Sequence, residues 1–294
     1  MTKIVVSGAA GYLGGRLVEA FLKNGCSFLG IVHKQNENLR NLSLKYENLE
    51  ICELEIDDLL YSMSKFYPTV VISTTCSYET DAKYLIKTID SNYIFPSKLL
   101  KCAIQLERKM RFISISTSLP PSLNLYSLTK EQFSESGKYY SSIGKIQFVN
   151  VLLESFYGAD EPDERFIKRS VKNFLLGRNV DATIGTQKRD YVEIDDVIDV
   201  LMFLSATENL KSDYDTIQLG SGFAPSIREI LGFLNETVGT KSVINFGAVP
   251  SRPSEPSTKA DLSRLRELGY TKEMTYWKDG MKKMVEEIKN ESID

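Results

Sequence analysis

The sequence predicts an α/β fold in which a doubly wound parallel sheet forms the centre of the chain. Short runs of β-branched and apolar residues recur along the first half of the sequence, and they alternate with stretches that carry apolar residues at helical spacing. A group of glycines directly follows the first of these runs and directly precedes an amphipathic stretch. Strand, glycine turn and helix in this order are typical of a doubly wound sheet.

The composition is that of a globular protein without nucleic acid or membrane as a partner. The 294 residues are 42% hydrophobic and 26% charged, which suffices for one large domain with a filled core. The net charge of −3 and the lack of basic runs argue against nucleic acid. No apolar run reaches the roughly 18 residues of a membrane span. Because Lys3 already opens a strand, we expect no signal peptide and a cytoplasmic protein.

The cysteines give no sign of a metal site. Cys26, Cys52, Cys76 and Cys102 are scattered, without the spacing of metal ligands. We therefore expect reduced thiols and no bound metal. Cys76 could line a cofactor site, although buried packing is the simpler interpretation.

The glycine turn predicts a dinucleotide-binding domain. The run from Lys3 to Ser7 leads into Gly8-Ala9-Ala10-Gly11-Tyr12-Leu13-Gly14. The first glycine permits a tight turn, the second lets the backbone approach a pyrophosphate, and the third lets the helix pack on the strand. The pyrophosphate would lie at the helix N-terminus, where N–H groups and the helix dipole favour an anion. The residues expected at the cofactor are Gly8, Gly11, Tyr12, Leu13 and Gly14.

The end of the second strand indicates which dinucleotide binds. This strand, predicted from Phe28 to Val32, is followed by His33 and Lys34, with Arg40 further on. An NAD site places a carboxylate here for the ribose 2′-hydroxyl, whereas a 2′-phosphate needs cations. His33 and Lys34 therefore favour NADP(H). A solvated polar loop is the alternative, because no arginine directly follows the strand.

A candidate proton-transfer site follows the fifth strand, predicted from Phe112 to Ile115. Tyr126 and Lys130 stand four residues apart, on one face of a predicted helix. A neighbouring ammonium lowers the pKa of a phenol, so Tyr126 could act as an acid or a base. Thr117, at the strand end, could hold the substrate oxygen. Taken alone, the same spacing also suits a solvent-exposed pair.

Three features together resemble the extended short-chain dehydrogenase/reductase family, also described as the NAD-dependent epimerase/dehydratase family. They are the G-x-x-G-x-x-G turn, the set of Thr117, Tyr126 and Lys130, and the run from Arg189 to Val197, which reads RDYVEIDDV. The resemblance implies a Rossmann-type nucleotide domain with a smaller C-terminal substrate lobe. It also assigns Thr117, Tyr126 and Lys130 to catalysis, with Tyr126 and Lys130 also at the cofactor.

The resemblance implies further contacts. Additional cofactor contacts are implied for Glu55, Ile56, Thr74, Thr75 and Asn92, and substrate contacts for Ser118, Arg189 and Arg252. The two arginines are candidates for binding a diphosphate, which suits the planar guanidinium. Gly220-Ser221-Gly222 could be a second phosphate loop, but the family has a structural crossover there. Asp58 and one of Asp195 and Asp196 are interpreted as helix caps.

The resemblance also divides the chain. We expect a nucleotide domain over residues 1–157, a substrate-lobe insertion over 158–186, a return to the nucleotide domain over 187–219 and a C-terminal substrate lobe over 220–294. Family members commonly form homodimers through the helices that carry Asn92 and Tyr126, and we expect the same here.

The expected reaction is the reduction of a keto sugar. Dehydratases of the family carry an acidic residue just after the strand-five threonine, where this chain has Ser118-Leu119. The segment from Thr117 to Phe133 resembles the CDP-abequose and CDP-paratose synthase group, which are NADPH-dependent 4-keto reductases of CDP-6-deoxyhexoses in O-antigen biosynthesis for lipopolysaccharide. We therefore expect NADPH-dependent C4 reduction of a nucleotide-diphosphate 4-keto-6-deoxyhexose, with CDP favoured. A C4 epimerase that uses NAD and a non-catalytic NADP-binding regulator are the alternatives.

Overall fold

The computed structural model describes residues 2–79, 81–251 and 256–291. In chain order the strands are β1 Lys3–Ser7, β2 Ser27–Val32, β3 Leu49–Glu53, β4 Val70–Ser73, β5 Arg111–Thr117, β6 Gln147–Leu153, β7 Ser155–Tyr157, β8 Val180–Ala182, β9 Tyr191–Glu193, β10 Tyr214–Leu219 and β11 Ile244–Phe246. The α-helices are α1 Tyr12–Lys23, α2 Glu37–Lys45, α3 Leu59–Phe66, α4 Leu85–Ile89, α5 Phe95–Gln105, α6 Leu125–Ser142, α7 Phe166–Leu175, α8 Ile194–Ala206, α9 Ile227–Val238, α10 Ser263–Glu267 and α11 Trp277–Glu291. Within the described residues, no helix is long and apolar enough to cross a membrane.

Seven strands form one sheet in the order β10-β6-β5-β4-β1-β2-β3. Each pairing from β3 through β6 is parallel. The central strands are rich in buried apolar residues, and Val5, Val71 and Phe112 are wholly buried, as parallel strands covered by helices require. The strand order reverses at β1 and β4, so the predicted doubly wound, Rossmann-type sheet is confirmed.

The chain forms two compact units. The first comprises the residues up to Leu153 together with Val200–Ile217, and the second comprises Glu154–Asp199 and the residues from Gln218 onward. The predicted return to the nucleotide domain at 187–219 thus covers only Val200–Ile217 in the structure.

The second unit has its own core. The parallel pairs β7–β9 and β8–β11 lie in it. Helices α7, α9 and α11 pack against one another and bury apolar side chains such as Phe174, Leu231 and Met281. Each unit therefore has a hydrophobic cluster of its own, since a separate cluster fills the first unit.

The stretch between β4 and β5 differs from the single long helix that the sequence predicts from about Tyr78 to Leu106. A 3₁₀ turn at Ala82–Tyr84 precedes α4, and a π-helical turn at Asp90–Ile94 separates α4 from α5. Pro96 in the first turn of α5 has no backbone N–H, so it cannot continue the α-helical ladder, and a wider turn precedes it.

The glycine turn after β1 is packed tightly against α1. Gly8 has a φ of +75°, which side chains disfavour, and the amide of Gly11 donates to the Gly8 carbonyl at 2.8 Å. A Cβ atom on Gly14 would lie only 2.1 Å from the Gly8 carbonyl oxygen. The third glycine of the motif therefore lets the helix touch the turn, as the sequence predicts.

Gly14→Ala should destabilise the protein by about 1–3 kcal/mol, because α1 must move away from the turn to make room for the methyl group. Gly15→Ala is the matched control, since its Cβ would meet its nearest neighbour, the Ala9 carbonyl oxygen, at an ordinary 3.6 Å. Thermal unfolding should be measured for both variants. Equal stability in both would contradict the close approach.

A carboxyl group is buried at the start of the second unit. The Glu161 side chain is almost wholly buried, it accepts from the Lys168 amide at 3.1 Å, and Arg165 lies 3.3 Å away. Burial raises the pKa of Glu161 to about 7, although Arg165 opposes the shift. Because the folded state favours the protonated form, the contribution of Glu161 to stability is complete below pH ~4.5 and is lost as the pH rises through about 7.

Glu161→Gln should therefore flatten the pH dependence of unfolding. Between pH 5 and 8 the wild type should lose about 1–3 kcal/mol more stability than this variant. Asp163→Asn is the matched control, because hydrogen bonding to Lys172 holds the pKa of this exposed carboxyl below its usual range, so it does not titrate in that interval. Chemical denaturation at each pH measures the effect, and parallel profiles for wild type and Glu161→Gln would refute it.

Candidate active site

Helix α6 begins in a position that buries its first turn. Asn124 caps the helix by accepting from the Ser127 amide at 2.9 Å, and the Ser127 hydroxyl completes a capping box with the Asn124 backbone. Tyr126 and Lys130 lie in the first two turns and are only 7% and 4% exposed. The solvent-exposed pair that the spacing alone allowed is therefore excluded.

The Lys130 ammonium joins three elements. Its Nζ atom donates to the carbonyl of Thr75, after β4, and to the carbonyl of Ile115, in β5, both at 3.0 Å. Burial lowers the pKa of this amine. Two of its three N–H donors are thus directed at backbone carbonyls, and these bonds hold α6 to the ends of two neighbouring strands.

The side chains of Thr117 and Tyr78 lie next to the Tyr126 phenol, and the Tyr78 ring stacks on it. Burial raises the pKa of the Tyr126 phenol, Cys76 adds to this effect, and the Thr117 and Tyr78 side chains oppose it. The sequence predicts that Lys130 lowers the pKa of Tyr126. In the structure the cost of burying a phenolate is the larger effect, so the pKa is raised. At neutral pH the phenol is protonated, which is the form that can give a proton.

Asn92 anchors the segment after β4. Its side-chain oxygen accepts from the Ser77 amide at 2.8 Å, and its amide nitrogen donates to the Ser77 carbonyl at 3.0 Å and to the Thr129 hydroxyl at 3.2 Å. Both N–H donors are thereby used. Asn92 is wholly buried and supports the segment after β4, while its predicted cofactor contact stays a prediction.

Thr74 and Thr75 lie against the glycine turn. The Thr74 hydroxyl donates to the Ser7 carbonyl at 2.7 Å, and the Thr75 hydroxyl donates to the Ser7 hydroxyl at 3.1 Å. A Cβ atom on Gly8 would lie 2.8 Å from the Thr74 hydroxyl oxygen. The ends of β1 and β4 therefore meet closely at the carboxyl edge of the sheet, where ligands of such folds bind.

The residues at this edge fit a dinucleotide. Helix α1 is capped by Gly11, which has no side chain to accept from the first-turn amides, and these amides with the helix dipole favour a pyrophosphate. His33 and Lys34 are exposed after β2. Glu55 and Ile56 are exposed after β3, and Asp58 caps α3 as predicted. Ser118 is half-buried beside Thr117.

Arg189, a predicted substrate contact, lies in the second unit. Arg189 is buried, and its guanidinium donates to the Pro256 carbonyl. Arg252, the other predicted arginine, lies outside the described residues.

The second glycine motif binds a carboxylate. The Asp190 side chain accepts from the amides of Ser221 and Gly222 at 2.8 and 2.9 Å. An anion of the protein already uses these loop amides, so Gly220–Gly222 is a structural crossover and not a phosphate loop.

The predicted cap of α8 is also shifted. The helix begins at Ile194, and the Glu193 carboxylate accepts from the Asp195 amide at 2.7 Å, whereas Asp196 accepts from the Thr275 amide. Glu193 thus performs the role expected of Asp195 or Asp196.

One residue near Tyr126 was not assigned to the site from the sequence. The Tyr78 ring stacks on that of Tyr126, with centroids 4.6 Å apart. Cys76, which the sequence allowed at a cofactor site, is half-buried and adds to the raised pKa of Tyr126. No periodicity or motif in the sequence marks Tyr78. It reaches α6 only because Asn92 and Lys130 hold the segment after β4 in place.

Known proteins are similar in sequence to this chain over nearly its full length. The NAD dependent epimerase/dehydratase family matches residues 4–220. CDP-abequose synthase from Salmonella typhimurium is 31% identical, with 97% of this chain and 96% of that protein aligned. ADP-L-glycero-D-manno-heptose-6-epimerase from Brachyspira hyodysenteriae is 27% identical, with 96% of each chain aligned.

A solved structure shares the fold as well. UDP-glucuronic acid 4-epimerase from Bacillus cereus, in complex with UDP-glucuronic acid and NAD, is 25% identical with a TM-score of 0.85, over 98% of this chain and 99% of that one. The matched residues include the glycine turn and the segment that carries Thr117, Tyr126 and Lys130. The chain therefore belongs to the NAD dependent epimerase/dehydratase family, the extended branch of the short-chain dehydrogenases and reductases.

Proposed function

We propose that the protein uses NADPH to reduce the C4 keto group of a nucleotide-diphosphate 4-keto-6-deoxyhexose, with a CDP-sugar favoured. The observation that carries the proposal is the buried pair of Tyr126 and Lys130 at the start of α6, where the Lys130 ammonium is bound to the carbonyls of Thr75 and Ile115. The similarity to CDP-abequose synthase supports the CDP-linked substrate. The product would serve surface polysaccharide biosynthesis, including O-antigen, and the reaction would take place in the cytoplasm.

The cofactor would lie along the carboxyl edge of β1, β2 and β4. The glycine turn and the first turn of α1 would hold its pyrophosphate, and the third N–H donor of Lys130 would bind a ribose hydroxyl. NADPH, when bound, supplies the hydride. His33 and Lys34 support NADPH over NADH, because both are exposed where a 2′-phosphate would lie and no carboxylate directly follows β2.

Tyr126 would supply the proton of the reduction. The O–H bond of Tyr126 breaks and a new O–H bond forms at the C4 oxygen, as that carbon gains its hydrogen and the C=O double bond becomes single. An oxygen that becomes an alkoxide is a stronger base than a phenolate, so the raised pKa of Tyr126 does not prevent the transfer. The Thr117 hydroxyl would orient the same oxygen, since it already lies at the phenol.

Ser118 and the two arginines are the proposed substrate contacts. Ser118, in the first unit, would contact the sugar because it directly follows Thr117. Arg189, in the second unit, would bind a diphosphate group, as would Arg252. Ser118-Leu119 provides no carboxyl group for the elimination of water, which supports reduction over dehydration.

A C4 epimerase is the second candidate. The similarity to UDP-glucuronic acid 4-epimerase and to a heptose epimerase supports it. An epimerase must return the hydride to its substrate, so it keeps its cofactor and consumes none. Net NADPH consumption therefore separates the two candidates.

Incubation with NADPH and a CDP-linked 4-keto-6-deoxyhexose should give a steady loss of absorbance at the nicotinamide band, faster than with NADH. Tyr126→Phe should lower turnover about 10²–10⁴-fold because it removes the proton donor, with little change in NADPH affinity. Tyr61→Phe, at an exposed position on α3, is the matched control and should retain full turnover. Full turnover by Tyr126→Phe would refute its role. Conversion of a sugar to its epimer without NADPH loss would favour the second candidate.

A homodimer is part of the proposal. A groove of about 610 Å³ runs between α5 and α6 in the first unit. Half of its ten lining residues are aromatic or aliphatic, namely Tyr93, Leu100, Ile104, Tyr139 and Tyr140, and the other half are polar or charged. Tyr139 and Tyr140 project from α6 and are exposed, which suits a surface that a second copy would cover.

Light scattering should give the mass of two chains for the wild type. Tyr139→Glu should shift the mass toward one chain, because it places a charge in an apolar interface. Tyr61→Glu, at an equally accessible position outside the groove, should leave the dimer intact. A one-chain mass for the wild type would contradict the dimer.

A further inference from the structure

The side chain of Asn36 joins the glycine turn to the segment after β2. Its amide nitrogen donates to the Ala10 carbonyl at 2.9 Å, and its amide oxygen accepts from the Leu39 amide, also at 2.9 Å. The second of these bonds caps helix α2. Asparagine thus uses both ends of its amide group, one as a donor and one as an acceptor.

Capping α2 requires only the oxygen of Asn36. Asp58 caps α3 with a carboxylate oxygen that accepts from the Tyr61 amide at 2.6 Å, and aspartate has no N–H group to donate. Aspartate or serine at position 36 would therefore serve α2 equally well. The N–H donor of Asn36 is not needed for the helix, and it is used on the glycine turn.

The bond from Asn36 completes a clamp on one peptide unit, the one that joins Ala10 to Gly11. The N–H of this peptide donates to the Gly8 carbonyl at 2.8 Å. Its carbonyl is bound by Asn36. The start of the turn is held by β2, because the Ile31 carbonyl accepts from the Gly8 amide at 3.0 Å. Of these three bonds, the one from Asn36 is made by a side chain, so a substitution can remove it alone.

The orientation of this peptide affects an anion bound at the turn. It directly precedes α1, whose cap is Gly11. The N–H groups and the dipole at the start of a helix favour an anion, whereas a carbonyl oxygen directed at the same place repels one, because it carries a partial negative charge. Asn36 keeps the Ala10 oxygen directed at the segment after β2.

We infer that Asn36 is a positioning residue of the cofactor site, whose side-chain N–H holds the Ala10 carbonyl away from the pyrophosphate of a bound dinucleotide. The inference rests on the cofactor part of the proposed function and is independent of the keto sugar. Asn36 acts through the glycine turn, and no covalent bond forms or breaks.

Asn36→Ser is the variant that isolates this bond. The serine hydroxyl can accept from the Leu39 amide and cap α2, whereas the shorter side chain lacks the N–H group that reaches Ala10. Asn24→Ser is the matched control, because exposed Asn24 also donates to a backbone carbonyl at 2.9 Å, at the other end of α1. Both variants should fold with similar unfolding midpoints.

The first measurement uses the protein without cofactor. Hydrogen exchange of the Gly11 amide is read by NMR. In Asn36→Ser this amide should exchange about three- to tenfold faster than in wild type, because its peptide has lost one of its two anchors. Asn24→Ser should exchange at the wild-type rate. An unchanged rate in Asn36→Ser overturns the inference.

The second measurement compares two ligands. NADPH contains the pyrophosphate, whereas 2′-AMP carries the adenosine and its 2′-phosphate without a pyrophosphate. Asn36→Ser should weaken NADPH binding about three- to tenfold, the effect of one hydrogen bond, and leave 2′-AMP binding within about twofold of wild type. NADPH fluorescence gives the first affinity, and displacement of NADPH by 2′-AMP gives the second. Equal NADPH affinities, or equal losses for the two ligands, overturn the inference.

The two measurements separate this inference from the proposed function. If the wild type binds NADPH but reduces no keto sugar, the proposed reaction fails, and both measurements still decide the role of Asn36. If the wild type is active and Asn36→Ser matches it in exchange and in NADPH affinity, the proposed function stands and the Asn36 inference fails. A wild type that binds neither NADPH nor NADH overturns both.

Discussion

The buried ammonium of Lys130 is the constraint on which the site depends. A charged group that is taken from water needs hydrogen-bond partners in the fold, and this one finds them in the carbonyls of Thr75 and Ile115. Those carbonyls belong to segments at the ends of β4 and β5, so the requirement that Lys130 be satisfied fixes helix α6 against the sheet edge. Tyr126, one turn earlier on α6, is then fixed as well, with its hydroxyl at Thr117.

The burial that places Tyr126 also sets its chemistry. A phenol surrounded by protein and by the ring of Tyr78 holds its proton at neutral pH, because the charged form is poorly solvated. A protonated donor is what a carbonyl reduction requires. The raised pKa differs from the lowered pKa that the Tyr126 and Lys130 spacing suggested.

The fold was largely predictable, because its signals are local. The strands predicted over Lys3 to Ser7, Phe28 to Val32 and Phe112 to Ile115 lie within two residues of their observed bounds, and Asp58 caps α3 as predicted. The family, the glycine turn and the Thr117, Tyr126 and Lys130 set were also readable from motifs. The interruption around Asn92 was missed although Pro96 signalled it, because the apolar spacing was taken as one helix. Tyr78 could not be found in the sequence, since its contact with Tyr126 depends on how Asn92 and Lys130 hold the chain after β4.

The central claim is that a hydride moves to C4 of the sugar while Tyr126 provides the proton. Hydride transfer can be tested directly with NADPH that carries two deuterium atoms at the nicotinamide C4. The sugar product is then examined by mass spectrometry and NMR. The product should be heavier by one mass unit, with the deuterium bonded to C4 of the sugar. A product that forms without deuterium would contradict it.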